Sequence, residues 1–350
     1  MIRFDPNAAP EPDSGIFGLP HAEKDAALVL IPVPWEATTS YGGGASRGPA
    51  AIFAASGQID LFDSDVAKPY EPGIFMRPES GAVRAWNKTA KAAAQKIIRA
   101  GGRVDGKPAL LKALKTANAL GDRLNDWVYR ETKSVLAAGK IPGIVGGDHS
   151  VPYGAFRAAA ERHGEFGLLH FDAHHDTRVA YEGLVWSHAS IMYNALENIP
   201  KISKIVQVAI RDYSEQEHEF LRALGPRARV FYDRALCAAR FSGAPWNRLA
   251  EEISADLPEK VWITFDIDGL DPKLCPHTGT PVPGGLQLAE AARVIELVAR
   301  SGRTILGFDL VEVAPAPGGR DEWDANVGMR LLYKLAAWTF VSRGLCRARD

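Results

Sequence analysis

Residues 167–176 read GLLHFDAHHD: a mostly apolar run, Gly167–Phe171, passes without a break into Asp172, His174, His175 and Asp176. The same design recurs twice. Ile141–Val145 leads into Gly146-Gly147-Asp148-His149-Ser150, and Val261–Asp268 ends on Asp266 and Asp268. Ala27–Val33, Ile205–Ile210 and Thr304–Phe308 are further strand candidates. Most of these runs are apolar almost throughout, the signature of strands buried on both faces of a parallel sheet. Helical patterns at Lys107–Ala138, Tyr153–Glu161 and Leu288–Ala299 lie between them. Strands alternating with helices predict a doubly wound α/β fold. With no linker or repeat in view, residues 1–350 read as one domain, carrying an N-terminal extension over about 1–26. The polar stretch at about 68–107 reads as an insertion or long excursion.

Side chains able to hold metal cluster at the ends of these runs. Asp172, His174 and Asp176 stand at i, i+2 and i+4, which in extended backbone places them on one face, and Asp266 and Asp268 repeat the spacing. In an open parallel sheet the carboxyl ends of neighbouring strands converge on one crevice. Carboxylates packed there without cations would repel one another and raise their own pKa values. Two divalent ions sharing bridging carboxylates remove the conflict. Oxygen-rich ligation with one imidazole per ion suits manganese or nickel better than a structural zinc. Such a pair can acidify a bridging water into a nucleophile. Asp148 and Asp271 read as turn residues, His170 and His175 as supporting or core groups, and His21, His163 and His218 as surface groups.

Composition narrows the function classes. Hydrophobic residues make up 46% of the 350 and charged residues 24%, which is enough for a large core and argues against disorder. The net charge of −1, without a basic block, gives nucleic acid no electrostatic footing. The three cysteines, Cys237, Cys275 and Cys346, are far apart and fit neither a disulfide framework nor a CxxC zinc site. The N-terminus lacks a basic and apolar leader, and apolar runs fall short of the roughly 20 residues of a membrane span. A cytoplasmic protein is expected.

The motifs GGDHS (146–150), DAHHD (172–176) and FDIDGLDP (265–272) together resemble the metal signatures of the ureohydrolases, the family of arginases, agmatinases, guanidinobutyrases, formimidoylglutamases and guanidine hydrolases. GGGASRGPAAI (42–52), TGTP (278–281) and DLVEVAP (309–315) match in order, so the resemblance spans most of the chain from about Ala27. It implies a three-layer α/β/α sandwich around a mostly parallel sheet, assembled as trimers or hexamers. It implies a first metal on His149, Asp172, Asp176 and Asp266, and a second on Asp172, His174, Asp266 and Asp268, with a hydroxide between them. Mn2+ is the expected ion and Ni2+ the alternative. Glu312 would grip the substrate guanidinium, Asp176 would pass a proton to the leaving nitrogen, and His188 would shuttle protons near neutrality. The products would be urea and an amine or ammonia.

The departures bear on the substrate. Ala189-Ser190-Ile191 follows His188 where many agmatinases carry Gly-Thr-Pro. Arg178 stands where arginases carry an asparagine, and Ser214 where they carry an aspartate, so L-arginine fits poorly. An inward Arg178 would repel the ammonium of agmatine and tolerate a carboxylate; an outward one would be a surface ion-pair partner. His277 is a bulky polar group beside the Thr278-Gly279 loop. Tyr181-Glu-Gly183 and Trp323-Asp-Ala-Asn326 look most like the guanidine hydrolase branch. Trp35 and Trp186 read as packing residues, with a cation–π lid over a small substrate as the alternative. Guanidine, agmatine or a guanidino acid are the candidate substrates. The competing classes are an arginase, a single-metal amide deacetylase on this fold and a non-catalytic paralogue.

Overall fold

Six apolar runs become strands for the reason the sequence suggests: they are buried on both sides. The structure, a computed structural model, describes residues 4–11, 13–319 and 321–350, so residues 1–3 and 12 of the N-terminal extension lie outside it. The strands are β1 (Leu28–Val33), β2 (Ile74–Met76), β3 (Ile141–Gly146), β4 (Phe166–Phe171), β5 (Ile202–Ile210), β6 (Ala228–Tyr232), β7 (Lys260–Asp266) and β8 (Thr304–Val311). They form one sheet in the order β2-β1-β3-β8-β7-β4-β5-β6, every pair parallel. A separate antiparallel pair joins Val66–Ala67 to Arg347–Ala348.

Two strands of the main sheet, besides the short antiparallel pair, were not legible in the sequence. β2 has only three residues at the sheet edge, inside the stretch read as an excursion, and β6 alternates in burial because it is the opposite edge. An edge strand buries one side only and loses the continuous apolar signal. The run at 261–268 is also shorter than expected: β7 stops at Asp266, and Ile267–Gly269 is a 3-10 turn.

The helices are α1 (Gly48–Ser56), α2 (Gly81–Ile98), α3 (Pro108–Ala137), α4 (Tyr153–His163), α5 (Ile191–Asn198), α6 (Glu215–Ala223), α7 (Asp233–Phe241), α8 (Trp246–Ala255), α9 (Leu288–Arg300) and α10 (Trp323–Ser342). Period-2 alternation in the strands feeds two separate cores. Leu28 and Leu30 of β1 pack with α1, α8, α9 and α10, while Val29, Ile31 and Val33 pack with α2, α3 and α4. The result is a three-layer α/β/α sandwich. Residues 68–107 contribute β2 and α2, which packs along α3.

Close approach rather than chain flexibility explains two glycines. A Cβ on Gly154 would lie 2.2 Å from the Asn125 carbonyl oxygen, so α4 can nest against α3 only without one. A Cβ on Gly48 would lie 2.2 Å from the Val313 oxygen, at the junction of α1 with the loop leaving β8. His163 departs from its surface reading: it is half-buried, and burial, reinforced by Arg343, Arg162 and Lys260, pushes its pKa down to about 4. No described helix is long and apolar enough to cross a membrane.

Candidate metal centre and its cleft

The four central strands, β3, β8, β7 and β4, are neighbours in the sheet though far apart in sequence. Each releases its functional residues at its carboxyl end. His149 follows β3, Asp172 to Asp176 follow β4, Asp266 and Asp268 close β7, and Glu312 follows β8. Because all four strands are parallel, these ends share one edge of the sheet.

At the centre, His149 Nδ1 lies 2.9 Å from Asp172 Oδ2, 3.0 Å from Asp176 Oδ2 and 3.4 Å from Asp266 Oδ2. Beside it, His174 Nδ1 lies 3.3 Å from Asp172 Oδ1 and 3.2 Å from Asp268 Oδ2. All six expected ligands therefore converge, with Asp172 reaching both halves. His170 joins the first group as well, since its Nε2 is 2.8 Å from Asp172 Oδ2.

The local backbone differs from the extended path expected. The regular strand ends at Phe171, and beyond it His174 forms only an isolated bridge with Asp212. Asp176 sits at φ 57°, a left-handed conformation, and its carboxylate reaches the cluster through that turn rather than by alternation. Glu312 is held at φ 62°. Asp266 and Asp268 are brought together by the 3-10 turn, in which Asp266 Oδ1 accepts from the Asp268 amide at 2.8 Å. The other Asp268 oxygen, Oδ1, accepts from the Ala173 amide at 2.9 Å.

A second layer fixes which atom of His149 faces the cluster. Its Nε2 lies 2.9 Å from Thr264 Oγ1, whose hydroxyl donates to Asp309 Oδ1 at 2.7 Å, while Trp262 donates to Asp309 Oδ2 at 2.7 Å. With its proton spent on Asp309, Thr264 can only accept from His149, so His149 carries a hydrogen on Nε2 and turns Nδ1, the atom that would ligate a cation, to the carboxylates.

The donor chemistry fits two divalent cations. Burial and mutual repulsion push Asp266 and Glu312 well above the usual carboxylate range, and burial with the Asp172 charge raises Asp176. Glu312 accepts from the His149 amide at 3.0 Å through Oε1, while its buried Oε2 has no partner. The His149 and His174 rings hold Asp172 low but offset only part of this charge, and divalent cations would relieve the remaining repulsion.

A cleft of about 130 Å³ opens above the centre, lined by His174, Asp176, Arg178, Tyr181, His188 and Glu217 among others. His188 is locked to Thr38: its amide donates to Thr38 Oγ1 at 3.2 Å, and the hydroxyl lies 3.1 Å from its Nδ1. The hydroxyl thus fixes Nδ1 against Thr38 and leaves Nε2 as the ring atom not engaged by it. Burial, then the nearby His174 and His149 rings, push His188 down to about 4, not the near-neutral titration expected.

Arg178 is both inward and paired. It lines the cleft, its guanidinium carbon lies 5.3 Å from the Tyr181 ring centroid, and Nε is 3.6 Å from Glu217 Oε2. Glu217 is already engaged by the Thr177 amide at 3.2 Å and by the Ser214 amide and hydroxyl at 2.9 and 2.8 Å. Ser214 is thus the N-cap of α6 in a capping box, lining the adjoining cavity rather than the cleft itself. His277 turns away too, with Nδ1 2.7 Å from Asp324 Oδ2 at the start of α10. Trp35 is buried in the core, and Trp186 packs on Tyr153 and donates to Asp122, so neither closes over the cleft. The residues missed at the mouth are Thr38, Ser40, Asp212, Tyr213 and Glu217. Thr38, Ser40, Asp212 and Tyr213 come from loops without a motif, and Glu217 carries only a capping-box signature at the start of α6, so placement alone ties them to the cleft.

The chain matches the Arginase family over residues 26–337. It belongs to that family. Among curated relatives it is 33% identical to an N(1)-aminopropylagmatine ureohydrolase of Thermus thermophilus, over 83% of this chain and 84% of that protein. It is 28% identical to a guanidinobutyrase of Pseudomonas aeruginosa, over 91% and 89%. Among solved structures, the proclavaminate amidino hydrolase of Streptomyces clavuligerus superposes with a TM-score of 0.71 at 23% identity, covering 97% of this chain and 100% of that one. The protein is an arginase-family ureohydrolase, a hydrolase of linear amidines whose residues for a binuclear metal site are all present. The deacetylase and non-catalytic readings fall with that assignment.

Proposed function

We propose that this ureohydrolase cleaves a guanidino compound that carries no second positive charge, namely guanidine itself or a guanidino acid, into urea and ammonia or an amine. The observation behind the substrate class is Arg178. Its guanidinium lines the cleft beside the metal centre, and its one ionic partner among the described residues, Glu217, is largely consumed by backbone and Ser214 donors. A cationic tail would meet that charge unfavourably, and a carboxylate could take its free donors in a bidentate pair. Ser214, spent as a helix cap, offers nothing to an α-ammonium, which argues against L-arginine. The relatives include proteins named for both tail types, so the cleft carries the argument.

His149, Asp172, Asp176 and Asp266 would hold the first ion and Asp172, His174, Asp266 and Asp268 the second. Mn2+ suits this oxygen-rich set best, with Ni2+ the alternative. A formiminoglutamase variant of Trypanosoma cruzi with the same fold has been solved with Mn2+. When bound, a pair of such ions supplies a water acidified enough to act as nucleophile near pH 7. The chain's own groups do the remainder. The unpartnered Glu312 Oε2 is free to pair with the substrate guanidinium and orient its carbon. Asp176, raised by its surroundings, can carry a proton to the leaving nitrogen. His188, held neutral by burial, serves as a proton relay at the cleft wall, recharged through solvent.

The test combines metal analysis with a urea-release screen over guanidine, 4-guanidinobutyrate, 3-guanidinopropionate, agmatine and arginine, with Mn2+ and Ni2+ each supplied. Turnover confined to the cationic tails would refute the substrate class. Asp268→Ala should lose the second equivalent of metal and at least about a hundredfold in urea release. Unchanged urea release in that variant would overturn the two-metal reading.

A further inference from the structure

Behind Asp172 lies a buried polar chain that hydrolysis as described above leaves unused: His170, Gln207 and His175, all, like Asp172, essentially without solvent exposure. Gln207 lies on β5, next to His170 on β4, with which it is in register. Its Nε2 is 3.0 Å from the His175 carbonyl oxygen and 2.8 Å from His170 Nδ1, and its Oε1 is 2.7 Å from His175 Nδ1.

These distances determine every hydrogen in the chain. A carbonyl oxygen only accepts, so the amide atom facing the His175 carbonyl is the NH2 group; the opposite orientation would set two oxygens against each other. The same NH2 group faces His170 Nδ1, which must therefore be an unprotonated acceptor. A neutral His170 then carries its proton on Nε2, 2.8 Å from Asp172 Oδ2, and donates it there. His170 sits as close to the first-ion cluster as His149 does, its ring centroid 5.1 Å from that of His149. By position alone it could serve as a second imidazole ligand.

We propose that Gln207 is a positioning residue that decides this question: it holds His170 as an Nε2–H donor to the shared carboxylate of Asp172 and so keeps it out of the metal's coordination. The inference rests on the two-metal reading above, because it assigns Asp172 as the ligand being oriented. The first ion then sees one nitrogen and several oxygens instead of two nitrogens, a donor set that suits manganese over nitrogen-preferring ions. Thr264 does the reverse for His149, holding the proton away from the cluster so that Nδ1 can ligate. Two similar histidines flank one carboxylate, both with a hydrogen on Nε2, and their neighbours turn Nδ1 of one and Nε2 of the other towards it.

Gln207→Glu tests this with almost no change of shape, because it puts an acceptor against His170 Nδ1 and draws a proton onto that atom. Gln207→Leu removes the partner altogether. In long-range 1H–15N spectra of 15N-histidine-labelled apoprotein, wild-type His170 should show a protonated Nε2 and an unprotonated Nδ1, and Gln207→Glu should show a protonated Nδ1. Titration of the full-length apoproteins with Mn2+ should give about 10–100-fold weaker binding of the first ion in both variants. Loss of the fold in Gln207→Leu leaves the isosteric variant to decide. A wild-type His170 protonated on Nδ1, or Mn2+ binding by Gln207→Glu within about threefold of wild type, overturns the proposal. Failure of wild type to bind Mn2+ or Ni2+ at all would instead overturn the two-metal reading.

Discussion

Replacing Arg178 by alanine should turn substrate preference from acidic towards basic tails. The guanidinium stands at the mouth of the cleft with a side chain 41% exposed, and Glu217 lies 3.6 Å behind it. A tail carboxylate pairing at about 4 Å would gain about 4 kcal/mol at an effective dielectric of about 20, and only about 1 kcal/mol in bulk water. Exposure places the real value near the lower end, about 1–2 kcal/mol, or roughly 5- to 30-fold in kcat/KM. Arg178→Ala should therefore lower kcat/KM for 4-guanidinobutyrate by roughly 5- to 30-fold. The value for agmatine should rise by a similar factor, because Glu217 loses its ionic partner. Guanidine, which has no tail, should change by less than about threefold, since the charge then acts only at a distance. Arg178→Glu should exaggerate the switch. The assay is urea release with metal-loaded protein at low and high salt, and the ratio between acid and amine should shrink towards unity in wild type as salt screens the cleft. An equal loss for all three substrates would refute the reasoning, because it would show Arg178 supporting the metal centre and not reading the tail.

Gly48→Ala should destabilise the protein by about 3 kcal/mol or more without touching the ligands, since its Cβ would fall 2.2 Å from the Val313 oxygen and backbone must move. A thermal midpoint within about 2 °C of wild type would contradict that packing account. His163 bears on acid stability. Its folded pKa of about 4 lies below the ordinary 6.5, so above pH 6.5 it carries no penalty. Between 6.5 and about 4 the unfolded chain binds a proton that the fold refuses, and stability falls with pH. Discounted for its half-exposed ring, this amounts to about 1 kcal/mol between about pH 7.5 and pH 5. His163→Gln should lose that much less stability over the same interval, measured by urea denaturation, and an identical loss in both proteins would show that the ring is not excluded from protonation.

The parts of this protein legible in the sequence are those carried by local pattern. Central strands announced themselves because a strand buried on both faces must be apolar at every position, and six of the eight were readable for that reason. β2 and β6 were hidden because an edge strand lacks that constraint. The six candidate ligands were legible because metal chemistry demands a narrow set of side chains, and those side chains followed strands whose ends had to meet.

What tertiary structure alone decided is how those groups are aimed. The strand order sets β3, β8, β7 and β4 side by side, a contact between segments far apart in the chain that no local pattern encodes. The left-handed turn at Asp176 and the 3-10 turn after Asp266 do what alternation was expected to do. Two histidines that look alike in sequence are separated by what lies behind them, Thr264 for His149 and Gln207 for His170. Arg178 was ambiguous for the same reason: its direction depends on Glu217 and Tyr181, which reach it from other segments of the chain. Sequence determines which chemistry a residue can do, because that is a property of the side chain. Structure determines which of those chemistries it does, because tautomer, charge and direction are set by neighbours that only folding supplies.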